Sequence, residues 1–253
     1  MASLVLWCAV YAGTATFLLK HFSGAAGECP IWIPSGIGLG FLLLYGWRYW
    51  PVIFIGATLG EFGGGHTLYM SVCLATGALL GNIVAYAMLK IARFDRELST
   101  LKDFILLVVI SAFAAIVSTS INIEFLKIED LLVGDLFQIY SKWYTGDFFG
   151  MAFFTPVLLI LSQPLFSGWS IQKKTIFGIA LLAMFFVGQM FFFGWFSEVI
   201  GNISSRAGLV FFPMILFGYY FGRSGAIILF AMILLQATLS TIYGNGFFGP
   251  EMY

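Results

Sequence analysis

The chain has 253 residues, of which 60% are hydrophobic and only 9% are charged. Soluble domains carry roughly 45–50% apolar and about 25% charged residues, so this composition excludes an ordinary soluble protein. Lys plus Arg balance Asp plus Glu at 12 each, so no net positive charge favours nucleic acid as a partner. The chain is therefore predicted to be a membrane protein.

Apolar runs separated by short polar interruptions follow one another along the chain. A bilayer core about 30 Å thick needs about 20 apolar residues per helix, and the runs are too uniform for the strands of a barrel. We predict an all-α polytopic transmembrane bundle of about eight to nine membrane helices, the third of which is short and either crosses or re-enters. The predicted spans are 4–19, 32–44, 51–63, 68–91, 104–123, 136–161, 175–195, 208–221 and 226–241.

The loops predict an orientation. The first run lacks a basic region and a cleavage motif, so it is predicted to be a retained helix. Basic side chains concentrate in the loops near Lys90 to Lys102, at Lys173 and Lys174, and at Arg223, which predicts that these loops are cytoplasmic. The chain then stops on the outer side. We expect a fragment that lacks its last helix, with a free-standing membrane unit as the alternative.

The second span begins with the unusual stretch IWIPSGIGLGF, which contains Trp32, Pro34, Ser35 and Gly36. Proline restricts the residue before it to extended backbone and is tolerated in the first helical turn. One interpretation is a late helix start, whose free N–H groups at Ser35 and Gly36 face a cavity and bind an anionic or carbonyl group. The alternative is that Pro34 only starts the helix while Trp32 anchors it at the interface.

Asp147 gives the strongest single signal, because it lies inside a predicted span in WYTGDFFGMAFFTP. A charged residue at the centre of a membrane helix costs at least about 2.5–3.5 kcal/mol, so it normally faces a cavity or a partner. Gly146 and Gly150 leave room beside it, and Pro156 is predicted to kink the same helix. The alternative is an Asp near the outer interface, solvated or paired with Lys142.

Other polar side chains are weaker candidates. Glu61 and His66 either bind a ligand or proton together or form a solvated interfacial pair. Asn82 and Tyr86 share one helix face, where interhelical hydrogen bonds are the alternative to ligand binding. Arg206 either pairs with Asp147 or a ligand anion, or is a surface side chain that reaches the interface.

Several kinds of chemistry lack their sequence pattern. The chain has no HExxH, GxSxG or Walker-type glycine motif, and its three cysteines, Cys8, Cys29 and Cys73, lack CxxC spacing. We therefore expect no metal site, no cofactor and no enzymatic activity in this chain. Glycines spaced along the spans, such as Gly56 with Gly60, predict close helix packing.

Four stretches together resemble one family, the MASE1 integral-membrane sensory domain of bacterial signalling proteins. They are IWIPSGIGLGFLLLYGWRYWPVIFIGATLGEF, GALLGNIVAYAMLKIARFD, WYTGDFFGMAFFTPVLL and FFPMILFGYYFGRSGAIILFAMILLQATLSTIYGNGFFG. They match a W-x-P-x-G helix start, a G-N-x-x-x-A helix, a W-x-x-G-D-x-x-G helix and a terminal hairpin, in the family's order. Trp143 and Asp147 belong to the third motif.

The resemblance implies that residues 1–253 form a single sensory domain of the bacterial inner membrane, fused to or working with a cytoplasmic histidine kinase, diguanylate cyclase or cyclic-di-GMP phosphodiesterase. The expected partners are the lipid bilayer, an unknown small-molecule signal, the output domain or protein, and a second copy of the chain. A small-molecule transporter or permease component is the alternative. The candidate ligand-binding residues are Trp32, Pro34, Ser35, Gly36, Glu61, Asn82, Trp143, Asp147 and Arg206.

Overall fold

A computed structural model describes residues 2–23, 29, 31–132, 134–195 and 212–242. Within these ranges the regular structure is entirely helical. The helices are α1 (Ala2–Phe22), α2 (Ile33–Tyr45), α3 (Trp50–Gly64), α4 (Leu68–Ile91), α5 (Leu101–Ile128), α6 (Leu136–Phe149), α7 (Thr155–Leu161), α8 (Ile171–Phe193) and α9 (Phe212–Ile242). A short 3₁₀ turn (Trp47–Tyr49) precedes α3, and a π-helical turn (Gly150–Phe154) joins α6 to α7.

The all-α prediction is confirmed, but the predicted eight or nine membrane helices exceed what helix length supports. Six helical segments of the described chain are long and apolar enough to cross a bilayer, and α6 with α7 counts as one of them. Helices α2 and α3 have only 13 and 15 residues, whereas a crossing helix needs about 20. By length and composition the six segments are Leu4–Phe22, Leu68–Ile91, Leu101–Ile128, Leu136–Leu161, Ile171–Phe193 and Phe212–Ser240, and the last of them is interrupted by the non-helical Gly222.

The chain groups into two compact units, and the first covers residues 1–159. Small residues let its helices approach closely, as predicted. A Cβ built on Gly60 would press against Ala15 of α1, and one built on Gly81 would lie 2.7 Å from the Ser118 Cβ of α5. Because lipid tails provide no hydrophobic drive for helix pairing, such close contacts supply much of the packing energy.

The start of α2 packs on the junction between α6 and α7. A Cβ built on Gly36 would overlap the Gly150 carbonyl oxygen, and one built on Gly150 would overlap the Trp32 carbonyl oxygen. The Trp32 N–H also donates to the Gly146 carbonyl oxygen at 2.9 Å. This helix start is therefore held against α6 by backbone contacts that side chains larger than hydrogen would prevent.

Pro156 explains the π turn that precedes it. Proline has no N–H to donate to the carbonyl group of Ala152, and its ring clashes with that group in a regular α-helix. The wider turn over Gly150–Phe154 relieves this clash. The predicted kink at Pro156 thus takes the form of a π turn that begins three residues after Asp147.

The second unit covers residues 160–253 and contains α8 and α9. Gly222 has φ 69° and ψ −169°, which is non-helical. A Cβ built on Gly225 would lie 3.3 Å from the Phe217 carbonyl oxygen, whereas eight residues of a straight helix rise about 12 Å. The chain therefore reverses direction at Gly222, between the predicted spans 208–221 and 226–241.

We predict that Gly150→Ala destabilises the first unit. The new methyl group meets the Trp32 carbonyl oxygen, and overpacking of this kind costs about 1–3 kcal/mol of unfolding free energy. The measurement is thermal unfolding of the purified chain in detergent. Gly13→Ala in α1 is the matched control, because a Cβ there meets nothing within 4 Å and alanine favours helix. Equal effects of the two substitutions would contradict the close packing of α2 on α6.

Candidate functional site

The centre of the first unit is a hydrogen bond between α2 and α6. The Ser35 hydroxyl donates to Asp147 Oδ1. The two residues are only 1% and 3% exposed. The alternative of a solvated Asp147 near the interface is therefore wrong, and the proline-containing helix start and the membrane acid meet as predicted.

One part of the prediction about the helix start is wrong. The Ser35 N–H is not free, because it donates to the Trp32 carbonyl oxygen at 3.1 Å. Pro34 occupies the first turn of α2, where its missing N–H costs the helix no hydrogen bond. What the first turn of α2 presents to Asp147 is the Ser35 hydroxyl group.

Asp147 lines a small cavity together with four other residues. The cavity has a free volume of about 10 Å³, which is room for about one water molecule. Its walls are formed by Cys29, Trp32, Glu61, Trp143 and Asp147. Two carboxylates and two indole rings, drawn from α3, α6 and the segment before α2, therefore face one space inside the helix bundle.

Polar atoms around the cavity are buried without hydrogen-bond partners in the described chain. They include Asp147 Oδ2, Trp143 Nε1 and the Tyr11 hydroxyl. The Ser118 hydroxyl lies beside Asp147 without completing a hydrogen bond. Buried polar groups nearly always have a partner, and leaving one unmade costs about 1–3 kcal/mol. The cluster thus has the capacity to bind a further polar group.

Glu61 is buried at 6% exposure, which contradicts the solvated interfacial pair. His66 Nδ1 lies 3.0 Å from Glu61 Oε2. The two atoms are within hydrogen-bonding distance, but their alignment is not that of a hydrogen bond. The neighbouring Glu61 carboxylate raises the pKa of His66 above 6.5, chiefly through this side-chain interaction, while burial of the ring acts in the opposite direction.

The structure brings together most of the predicted site. Trp32, Glu61, Trp143 and Asp147 line the cavity, and Ser35 and Gly36 lie at the α2–α6 contact. Asn82 does not line it. Its Nδ2 donates to the Ala78 carbonyl oxygen at 2.8 Å, and its side chain packs against Gly38. Arg206 lies outside the described residues.

Three residues of the cluster were missed by sequence reasoning. Cys29 lies just before the proline stretch, Tyr11 lies in α1, and Ser118 lies in the middle of α5. The available signal for Ser118 was the polar run STSIN inside an otherwise apolar span. Tyr11 and Cys29 gave no distinguishing signal, because both residue types are common in apolar segments.

We predict that His66 stabilises the fold most at low pH. A histidine whose pKa is raised on folding contributes its full stabilisation below its unfolded value, and this contribution is lost as pH rises through the folded value. The difference in thermal midpoint between wild type and His66→Gln should therefore shrink as pH increases above 6.5. His21→Gln, at an exposed position in α1, controls for loss of an imidazole ring. A pH-independent difference would contradict the Glu61–His66 pairing.

The comparisons with known proteins identify one family. A sequence model of the MASE1 family matches residues 2–252, which is essentially the whole chain. No curated protein and no solved structure matches the chain. The match agrees with the motifs around Trp32 and Asp147, which the structure joins in one buried contact. The chain therefore belongs to the MASE1 family of membrane-associated sensory domains.

Proposed function

We propose that the chain is the ligand-binding input domain of a bacterial signal-transduction protein, with the signal received at the cavity beside Asp147. Membership of a membrane sensory family supports the general role. The observation that carries the site is the buried Ser35–Asp147 hydrogen bond, next to a carboxylate oxygen without a partner. A buried ionisable group inside a membrane protein is by default a functional candidate.

The position of Asp147 suggests how occupancy of the cavity is transmitted. The carboxylate is three residues before the π turn Gly150–Phe154, and this turn packs on the start of α2. Helix α7 follows this turn directly. A ligand that favours one packing of this junction over another shifts the equilibrium by no more than its difference in affinity for the two packings.

The proposed setting is the bacterial inner membrane. The output is a histidine kinase or an enzyme of cyclic-di-GMP metabolism, either on the same polypeptide or on a separate protein. Association with a second copy of the chain is part of the proposal, because such outputs commonly act as dimers. No catalytic role is proposed for the residues of this chain.

A transporter or permease component is the second candidate. A helix that starts inside the bundle opposite a membrane acid is also the arrangement found in broken-helix transporters. Reconstitution into proteoliposomes separates the two functions. Gradient-driven accumulation of a solute that binds the protein would favour transport, whereas binding without flux supports sensing.

We predict that Asp147→Asn abolishes the response to the signal without removing the protein from the membrane. The substituted chromosomal gene is compared with wild type in a panel of media that vary inorganic cations as well as amino acids, amines, sugars and organic acids. Cyclic-di-GMP content and kinase-dependent transcription are measured, and immunoblots of membranes verify the protein level. The largest wild-type response should fall about fivefold or more, the lower range of typical coupling between sites.

The matched control is Glu124→Gln, which neutralises an exposed carboxylate that pairs with Lys127 at 2.6 Å on the surface of α5. This variant should respond as wild type does. A full response from Asp147→Asn would remove Asp147 from the mechanism. Loss of response in both variants would show a general defect and contradict a specific role for the cavity.

A further inference from the structure

The charges around the cavity do not balance within the described chain. Asp147 and Glu61 both line the space, and the Tyr11 hydroxyl is close enough to interact with both carboxylates. The electrostatic neighbours of Asp147 are Ser35, Ser118, Tyr11 and Glu61, none of which is a cation. In the part of the chain that the structure describes, the cation recorded at this cluster is His66, in contact with Glu61. With both carboxylates ionised and His66 protonated, one negative charge remains.

An uncompensated charge in this position is costly. Moving an ion from water into a low-dielectric interior costs several kcal/mol even after the surroundings relax. Two buried carboxylates that face one cavity also repel each other. A bound positive charge removes both penalties, whereas an anion would add to them. A cation therefore fits this cavity better than the anionic or carbonyl group expected at the start of α2.

The size and the donors of the cavity define the class of cation. Room for about one water molecule admits a bare alkali-metal ion and excludes an organic ammonium ion with substituents. The two carboxylates that line the cavity are hard oxygen donors, which alkali and alkaline-earth ions prefer to sulfur or nitrogen. The described residues contain no group of three or more His, Cys, Asp or Glu side chains able to hold a metal ion. Such clusters are the usual environment of a divalent ion, so a monovalent ion fits better.

We propose that the cavity between α3 and α6 binds one alkali-metal cation, with Asp147 Oδ2 as its principal ligand and the Glu61 carboxylate supplying the second negative charge. The proposal rests on the proposed function in one respect, since it names the ligand class of the same site. Occupancy by the cation would complete the polar cluster and hold α3, α6 and the start of α2 together. Entry and loss of the ion would then be the event that changes the packing beside the π turn.

The test is the cation dependence of thermal unfolding of the purified full chain in lipid nanodiscs. Sodium chloride or potassium chloride replaces choline chloride at constant ionic strength and at pH 8, and choline is too large for the cavity. At a hundredfold excess over the dissociation constant, a ligand of the native state alone should raise the midpoint by about 5–10 °C for a chain of this size. Comparing the sodium and potassium arms identifies which ion is preferred.

Two substitutions assign the effect to the cavity. Asp147→Asn and Glu61→Gln each remove one negative charge with little change of shape, so the alkali cation should no longer raise the midpoint in either variant. Glu124→Gln leaves the cavity unchanged and should retain the full wild-type shift. Because the readout is the difference between alkali and choline salts, a variant of altered intrinsic stability still reports on binding.

Equal midpoints of the wild type in alkali and choline salts would overturn the proposal. If the midpoint then depended on pH alone, a proton shared among Asp147, Glu61, His66 and Tyr11 would be the neutralising charge. An alkali shift that persisted in Asp147→Asn would also overturn it, by placing the ion elsewhere. None of these results alters the cellular response of the chain. Failure of the cation site and failure of the sensory function are thus separately observable.

Discussion

A carboxylate held inside a helix bundle by one serine hydroxyl is the interaction on which the first unit depends. Ser35 reaches Asp147 only because the first turn of α2 lies directly on α6. That approach requires glycine at positions 36, 146 and 150, where a methyl group would overlap a backbone carbonyl oxygen. The unusual composition at the start of the second span therefore has one physical explanation. Proline starts the helix inside the bundle, glycine permits contact, and serine satisfies the acid.

The surrounding helices are arranged so that this acid is buried but incompletely bonded. Small residues bring α1 against α3 and α4 against α5, which buries the centre of the unit. Several hydroxyl, amide and carboxylate atoms remain there without partners. In a purely structural core such atoms would be a defect, because each lowers stability. Around the proposed binding cavity they are expected, since a ligand-binding site keeps its ligating atoms available for the ligand.

The sequence was sufficient for the fold class and for the principal contact of the site. Asp147 stood out because charge is expensive in lipid, and the proline–serine–glycine start stood out because it breaks helix rules. Asn82 was misplaced, since its helical position indicated only that it faces inward and not which neighbour it meets. The Ser35 N–H was expected to be free, but the turn at Trp32 uses it. The number of membrane helices was overestimated, because α2 and α3 were counted as crossings although, at 13 and 15 residues, they are shorter than the about 20 that a crossing needs.

The π turn after Asp147 has a geometric consequence for the helix that contains it. Successive residues of an α-helix are about 100° apart around the axis, so positions eight residues apart differ by about 80° in direction. Yet Asp147 binds Ser35, and the Thr155 hydroxyl donates to the Gly36 carbonyl oxygen at 3.3 Å, so both side chains face α2. A wider turn that absorbs one residue makes the spacing equivalent to seven, which leaves the two directions only about 20° apart. The one extra residue of the π turn thus makes the stretches before and after it face the same neighbouring helix. A search for regular helical periodicity would have placed Asp147 and Thr155 on different faces.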